Sequence, residues 1–349
     1  MGPRVIRLSA LVATTAVFLG CSCNEPIKIG LSVQLSGARS IVGTSARDGA
    51  ELAVEEINRS GGIRGREIDL MVRDDRGDPD VARRNDRELI ESGVVAVIGH
   101  IQSYLSVAGA QVANAEQVVL FSPGSATDEL AGLDDYFFRI APTTTALGGA
   151  MGTFIQENQN PPGVRFALGP RNATYAESFL GGARETITHQ GGRVVETVTA
   201  GTAPELADAA QRFATKAGSE EENLPILAVL ADVDLAILAQ ELAEVGFDGQ
   251  LYSSSWAVTQ NLPAKGGRAV AGTYAIDSFY PGNNDPGYQE FARRYRDRYD
   301  RVPHVMSVSA YDCVKILAQV VQEVGTDRDA IRRKMKELRA YEGASGALR

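Results

Sequence analysis

Cysteine, histidine and tryptophan are scarce in this chain of 349 residues, which contains three cysteines, three histidines and one tryptophan. The cysteines offer no disulfide pair, because Cys21 and Cys23 adjoin a leader-like segment and Cys313 lies in an apolar helical stretch. The three histidines are too scattered in sequence to predict a metal-ligand cluster. These shortages argue against a disulfide scaffold and against a histidine-based metal centre.

Catalytic and nucleotide-binding motifs are also missing from the sequence. There is no Gly-x-Ser-x-Gly, no Walker loop and no Gly-x-Gly-x-x-Gly after a predicted strand. The adjacent acids Asp74 and Asp75, with Asp78 nearby, are better explained as a turn that leads into a helix beginning at Pro79. We therefore expect no enzymatic activity, no cofactor and no metal.

Acidic residues outnumber basic ones by 44 to 35, which gives a formal net charge of -9. Loss of the first 20 residues would remove Arg4, Arg7 and no acid, leaving 33 basic against 44 acidic residues and a charge of -11. Because an acidic surface repels phosphate backbones, a nucleic-acid partner is not expected.

The first 20 residues have the layout of an export signal. Two arginines precede a nearly apolar run from Leu8 to Leu19, which is too short to span a bilayer. Gly20–Cys21 resembles a bacterial lipoprotein cleavage site. We therefore expect residues 1–20 to be a signal peptide and 21–25 a lipidated tether attached through Cys21. The mature protein would lie in the periplasm or cell envelope as a membrane-anchored lipoprotein.

Strand-like and helix-like segments alternate through residues 26–141. The helix after the first strand has apolar residues at a 3.6-residue period, a cap at Thr44 or Ser45 and a left-handed end at Gly61–Gly62. The later strands are continuous apolar runs, which indicate a parallel sheet buried on both faces. The predicted strands here are 26–33, 67–73, 94–98 and 118–121.

A second alternating series follows, and after it a helical segment reaches residue 338. Strands are predicted at 164–168, 193–198, 225–230, 250–253 and 269–277, and helices at 143–157, 174–189, 204–215 and 232–245. The late helices have no strands of their own, so we expect them to cover the first sheet. The chain would then cross between two lobes near 140–143 and 277–281, which forms a hinge.

The expected fold class is therefore α/β, with two doubly wound parallel-sheet lobes joined by a hinge. The expected boundaries are 26–142 plus 279–337 for the first lobe and 143–278 plus 338–349 for the second. Parallel sheets of this kind bind ligands outside the carboxyl ends of their strands. In the first lobe those ends lead into loops 35–43, 99–104 and 122–127, so the sequence predicts a receptor for something small.

The chain contains a set of recognisable segments, which include Ile27–Gly30, Leu35–Gly37, Ala50–Val54, Gly61–Gly65, Val97–His100, Ser122–Ser125 and Ala310–Asp312. These motifs resemble those of the leucine/isoleucine/valine-binding proteins, the type I periplasmic solute-binding proteins of ABC importers. The resemblance covers nearly the whole mature chain. It implies capture of an amino acid or similar polar solute by lobe closure and delivery to ABC permease subunits. The segment Tyr341–Gly346 resembles a point at which family members continue into further strands. A truncated C-terminus is therefore one interpretation of this end of the sequence.

The resemblance also implies where the solute binds on the first lobe. The ligand carboxylate would contact Ser103, beside Tyr104, and the loop Gly124–Ser125–Ala126, with Thr127 next to it. Ser103 suits an anion independently, because a hydroxyl and free N–H groups at a helix N-terminus favour negative charge. Its alternative explanation is a simple helix N-cap, and the two roles are compatible.

The second lobe departs from the family pattern. Ser255 stands where leucine-type proteins carry the acid that pairs the ligand ammonium, and Ala231 replaces a tyrosine. Asp232 or Asp234 would restore the charge, unless they are only first-turn residues of a helix.

Two aromatic residues complete the predicted second-lobe site. Tyr175 aligns with a cleft tyrosine of the family, and Trp256 would floor the pocket or stack on the ligand, unless it is ordinary packing. The solute is therefore either an amino acid with rearranged ammonium recognition or an uncharged amide, urea or related molecule. A ligand-sensing receptor is the alternative to an importer component.

Overall fold

The computed structural model describes residues 25–37, 40–159, 161, 163–170, 173–214, 223–259, 261–277 and 282–348. The predicted signal peptide, the predicted lipidation site Cys21 and most of the predicted tether lie outside these residues. Among the described residues no helix is both long and apolar enough to cross a bilayer.

Two parallel sheets organise the chain. The elements of the first series are β1 (Ile27–Val33), α1 (Ser40–Arg59), β2 (Ile68–Asp74), α2 (Pro79–Glu91), β3 (Ala96–Gly99), α3 (Ser103–Glu116), β4 (Val119–Ser122) and β5 (Phe137–Arg139). The first sheet has the order β2-β1-β3-β4-β5, and every pairing in it is parallel. The switch in strand order falls between β1 and β3, where open sheets of this kind bind ligands.

The second series builds a sheet of the same design. Its elements are α4 (Thr144–Gln159), β6 (Val164–Leu168), α5 (Ala173–His189), β7 (Val194–Thr199), α6 (Ala203–Ala214), β8 (Ile226–Val229), α7 (Asp232–Glu244), β9 (Leu251–Ser254), α8 (Asn261–Gly266) and β10 (Tyr274–Ile276). The order β10-β9-β8-β6-β7 is again entirely parallel, which confirms the predicted fold class of two doubly wound lobes.

The C-terminal helices cover the first sheet, as predicted from their lack of neighbouring strands. They are α9 (Pro286–Tyr299), α10 (Val305–Val324) and α11 (Arg328–Glu337), followed by β11 (Tyr341–Gly343) and β12 (Gly346–Leu348). Phe291, Val314 and Leu317 share one buried core with Ile29 and Leu31 of β1.

The pair β11 and β12, here called the terminal hairpin, packs on the first lobe. Ala344 N and Ser345 N each donate a 2.8 Å hydrogen bond to the carboxylate of Asp312 in α10, and Ala344 joins the first-lobe core. The expectation that residues 338–349 belong to the second lobe is therefore wrong for the described part of this segment. A buried carboxylate that accepts two backbone N–H groups fixes the hairpin there.

Helix α1 begins earlier than its sequence suggests. It starts at Ser40, and the predicted cap residue Ser45 lies inside the helix, where its hydroxyl donates to Ile41 O at 2.8 Å. The predicted end is confirmed: Gly61 and Gly62 have φ values of 99° and 72°. Side-chain capping competes with backbone pairing, so a serine near a helix start does not by itself mark the first turn.

The crossing from the first lobe to the second is tied to a loop of the first sheet. After β5, Ile140 N donates to Ser122 O at 3.1 Å. Thr144, the first residue of α4, donates from both its N and its Oγ1 to Ala126 O, at 3.0 and 3.1 Å. The second-lobe helix therefore starts from a hydrogen bond to the loop that follows β4.

Candidate functional site

Two predicted ligand residues of the first lobe come together beyond the ends of β3 and β4. Ser103 is the first residue of α3, and the preceding Gln102 occupies the N-cap position without a side-chain cap hydrogen bond. The buried Ser125 donates from its hydroxyl to Ser103 Oγ at 3.5 Å. Ser103 is thus not the helix cap considered above, and its ligand role remains a prediction.

Residues 123–127, here called the β4 loop, are held by partners that sequence reasoning did not assign. Ser122 Oγ accepts from Ser125 N at 2.9 Å and from Gly124 N at 3.3 Å. Arg139, at the end of β5, donates to Ser125 O at 3.4 Å and to Thr127 O at 2.5 Å. Burial lowers the pKa of Arg139. These bonds fix the backbone that would meet a ligand.

The remaining first-lobe candidates have local hydrogen bonds as well. Thr127 Oγ1 accepts from Glu129 N at 3.3 Å and caps a short 3-10 turn. Tyr104 is 53% exposed, and its hydroxyl donates to Gly77 O at 3.1 Å. Its ring therefore reaches from the start of α3 to the loop between β2 and α2. Ala126 contributes its carbonyl to the crossing described above rather than a hydroxyl to the site.

A buried ion cluster, here called the His100 cluster, lies beneath these loops. His100 Nδ1 is 2.8 Å from Asp75 Oδ2, and its Nε2 is 3.2 Å from Asp86 Oδ2; all three side chains are almost fully buried. Burial alone would lower the pKa of His100, but the charges of Asp86 and Asp75 outweigh it and raise the pKa to about 9. The ring is therefore an imidazolium at neutral pH. A Cβ on Gly109 would lie 2.6 Å from Asp86 Oδ2, so glycine leaves room for the pair.

The His100 cluster supports the site through the backbone of His100. Its carbonyl accepts from Ser122 Oγ at 2.6 Å and from Ser106 Oγ at 3.0 Å. Because Ser122 also binds the β4 loop, one buried residue connects the end of β3, the start of α3 and that loop. The sequence signal for this cluster was weak: Asp75 was expected in a turn, and its Oδ1 does accept from Gly77 N at 2.9 Å.

The second-lobe candidates gather at the carboxyl ends of β8 and β9. Tyr175 and Trp256 meet edge to face with ring centroids 6.1 Å apart. Burial raises the pKa of Tyr175, and the nearby hydroxyls of Ser254 and Ser255 act in the opposite direction. Tyr175, Trp256 and Ser255 are therefore neighbours and each is partly exposed, and their role as ligand contacts stays a prediction.

Asp232 is engaged in a turn of its own lobe. Its carboxylate accepts from Thr259 Oγ1 at 2.5 Å, Asn261 Nδ2 at 3.0 Å and Val233 N at 2.8 Å. The Thr259 hydroxyl is the main cause of its lowered pKa. Asp234 is buried within α7. The simpler explanation of both acids as first-turn residues agrees with these contacts.

The arrangement offers hydroxyls, helix N–H groups and aromatic rings at the strand ends of both sheets. Among the described residues no group of three or more histidine, cysteine and acidic side chains could hold a metal ion. The titratable His100 cluster lies beneath the first-lobe loops and is buried away from solvent. The hydroxyls, helix N–H groups and aromatic rings at the strand ends could bind a polar solute.

Comparisons with known proteins agree with this fold and site. The sequence profile of the periplasmic binding protein family matches residues 26–349. A relative, Leu/Ile/Val-binding protein homolog 1 of Brucella suis, is 24% identical over 99% of this chain and 91% of its own length.

Two crystal structures are similar in fold. A branched-chain amino acid ABC transporter protein, described as putative, from Rhodospirillum rubrum has a TM-score of 0.81, 25% identity and 92% coverage of both chains. The substrate-binding protein LivJ of Streptococcus pneumoniae, in complex with isoleucine, has a TM-score of 0.70 and 23% identity, over 92% of this chain and 90% of its own. Because the family profile spans residues 26–349, the chain belongs to the periplasmic binding protein family.

Proposed function

We propose that this protein is the extracytoplasmic substrate-binding component of an ABC importer. It captures an amino acid or a similar small polar solute and presents it to permease subunits. The proposal depends mainly on one observation. The chain forms two parallel-sheet lobes that are connected at residues 140–144, and each lobe carries polar groups at the carboxyl ends of its strands. An export signal and lipidation at Cys21 would keep the protein at the outer face of the membrane.

The first lobe of this proposal comprises residues 26–142 and 279–337, together with the terminal hairpin. The second lobe comprises residues 143–278. Solute meets the first lobe at Ser103 and the β4 loop, and the second lobe then adds Tyr175, Ser255 and Trp256. Because contacts from both lobes exist only when they are closed, the solute shifts the population toward the closed state.

We infer the ligand class from the ligands of the relatives and from the residues at which this chain differs from the leucine-type pattern. The Brucella relative is named for leucine, isoleucine and valine, and the Streptococcus protein was crystallised with isoleucine. Here Ser255 and Ala231 replace an acid and a tyrosine of the leucine-type pattern. We therefore infer an amino acid bound with a rearranged ammonium site rather than an unchanged branched-chain specificity.

A ligand-sensing receptor for amides, urea or another uncharged solute is the second candidate. The neutral Ser255 favours it, because an ammonium buried without a counter-charge is costly. A thermal-shift screen of the twenty amino acids, small amides, urea and carboxylates separates the two classes. A ligand present at about 100 times its dissociation constant stabilises the fold by about 2.7 kcal/mol.

The first-lobe assignment is tested by Ser103→Ala against the strongest ligand of that screen. Loss of one hydroxyl contact should weaken binding roughly five- to tenfold, the effect of about 1 to 1.5 kcal/mol. Ser60→Ala is the matched control, because Ser60 is exposed near the C-terminal end of α1 and its hydroxyl donates to Glu56 O within the same helical turn. Equal affinity of the Ser103 variant and the wild type would reject this part of the proposal.

A further inference from the structure

The carboxyl end of β10 places an acidic residue beside the second-lobe part of the site. β10 runs parallel to β9, and Ile276 pairs with Ser254 in the ladder. Asp277 follows Ile276 as Ser255 follows Ser254, so the two residues leave adjacent strands at the same level. Asp277 is exposed. An acid therefore lies one strand away from the serine that occupies the ammonium position of the leucine-type pattern.

Asp277 also acts electrostatically on groups from both lobes. Its charge adds to the burial that raises the pKa of Tyr175, and it opposes the desolvation that lowers the pKa of His304. His304 caps α10 by accepting from Met306 N at 3.1 Å. A Cβ on Gly124 would lie 2.7 Å from Met306 Sδ, so this end of α10 adjoins the β4 loop. Asp277 thus lies within reach of both halves of the candidate site.

The other groups around this position suit a cation. Ser254 is fully buried, and its hydroxyl and that of Ser255 lie close enough to Tyr175 to oppose the rise of its pKa. The faces of Tyr175 and Trp256 attract positive charge when a cation lies over them. Asp232 is the acid that the sequence offered as the counter-charge, but its carboxylate already accepts hydrogen bonds from Thr259 and Asn261.

We propose that Asp277 is the counter-charge for the cationic group of the captured solute, which makes the solute an amino acid or another small molecule carrying an ammonium group. This inference rests on the proposed function and refines it. A carboxylate has about four acceptor positions, so a ligand ammonium adds to the contacts that Asp277 already makes. The neutral Ser255 is then explained, because the charge comes from the neighbouring strand.

Titration calorimetry with matched probes tests the inference. The probes are the amino acid that most stabilises the wild type and its 2-hydroxy acid, for example L-leucine with L-2-hydroxyisocaproate or L-alanine with L-lactate. The hydroxy acid keeps the carboxylate and side chain but lacks the ammonium. Wild type should prefer the amino acid by at least about tenfold, the factor for a hydrogen bond to a charged group, and Asp277→Asn should remove most of that preference.

Two further variants test whether the effect depends on a negative charge at position 277 or on the net charge of the protein. Asp277→Glu keeps the charge and should keep the preference. Asp248→Asn removes an equal charge from the exposed turn before β9, at the amino ends of the strands and away from the candidate site, and should change affinity by no more than about twofold. Thermal unfolding without ligand confirms that each variant is folded.

The outcomes distinguish this inference from the function on which it rests. An unchanged preference in Asp277→Asn, or equal wild-type affinity for the two probes, would overturn the role of Asp277 and leave amino-acid capture intact. Stabilisation of the wild type by amides or carboxylates and by no amino acid would also overturn it, while solute capture would stand. Stabilisation by no probe of any class would overturn both.

Discussion

His100→Gln should remove a pH dependence of stability that the wild-type protein has between neutral and alkaline pH. Glutamine can still donate a hydrogen bond toward Asp75, but it cannot carry the positive charge that faces Asp75 and Asp86. The folded-state pKa of His100 is raised from 6.5 to about 9. A raised pKa means that the folded state binds the proton more tightly than the unfolded chain does.

The size and sign of the effect follow from these two pKa values. At about 1.4 kcal/mol per pKa unit, protonation of His100 contributes about 3 kcal/mol to the free energy of unfolding. This contribution is complete below pH 6.5 and is lost as pH rises toward 9. The wild type should therefore lose about 3 kcal/mol between pH 6.5 and 9.5, whereas the variant should be less stable at pH 6.5 and nearly flat above it.

Urea unfolding monitored by circular dichroism at pH 6.5, 7.5, 8.5 and 9.5 measures this difference directly. His304→Asn is the control, because asparagine also caps helices well and the pKa of His304 is lowered rather than raised. A lowered histidine pKa costs stability only as pH falls through 6.5, so this variant should keep the alkaline slope of the wild type. Parallel curves for wild type and His100→Gln would refute the reasoning.

Three further predictions concern contacts elsewhere in the fold. Gly148→Ala should cost at least about 2 kcal/mol in urea unfolding, because a Cβ there would lie 1.8 Å from Phe179 O where α4 crosses α5; a loss under 0.5 kcal/mol would show that the helices separate easily. Asp312→Ala should release the terminal hairpin, seen as faster limited proteolysis after residue 338, and unchanged cleavage would contradict its anchoring role. Arg139→Ala should weaken solute binding roughly tenfold by loosening the β4 loop, with melting temperature as the check on global stability.

Local signals in the sequence were sufficient to predict most of the architecture. The alternation of apolar runs with amphipathic helices predicts both parallel sheets. Helix start and stop signals such as Pro79 and Gly61–Gly62 place the ends of those helices within a residue or two. These features depend on residues close together in sequence, where periodicity and turn chemistry apply directly. The assignment of the late helices to the first sheet also succeeded, because an apolar helix face must be buried somewhere.

Contacts between distant residues could not be predicted in the same way. Asp75 follows β2, Asp86 lies in α2 and His100 follows β3, and nothing in their spacing indicates that they meet in one buried cluster. The terminal hairpin was placed on the wrong lobe for the same reason, since its anchor at Asp312 lies about 30 residues earlier in α10. Pairing of this kind depends on how the elements pack, which a single sequence does not encode locally.

The carbonyl of Ala126 serves two neighbours at once, because it belongs to the β4 loop and also accepts both hydrogen bonds from Thr144. Under the proposed closure mechanism, a change that reshapes this loop for a different solute would also disturb the start of α4, through which the chain enters the second lobe. Selectivity and the balance between open and closed forms would then change together. Directed evolution toward new solutes should therefore often alter the connection between the lobes as well as the ligand preference. Compensating substitutions should accumulate around Thr144.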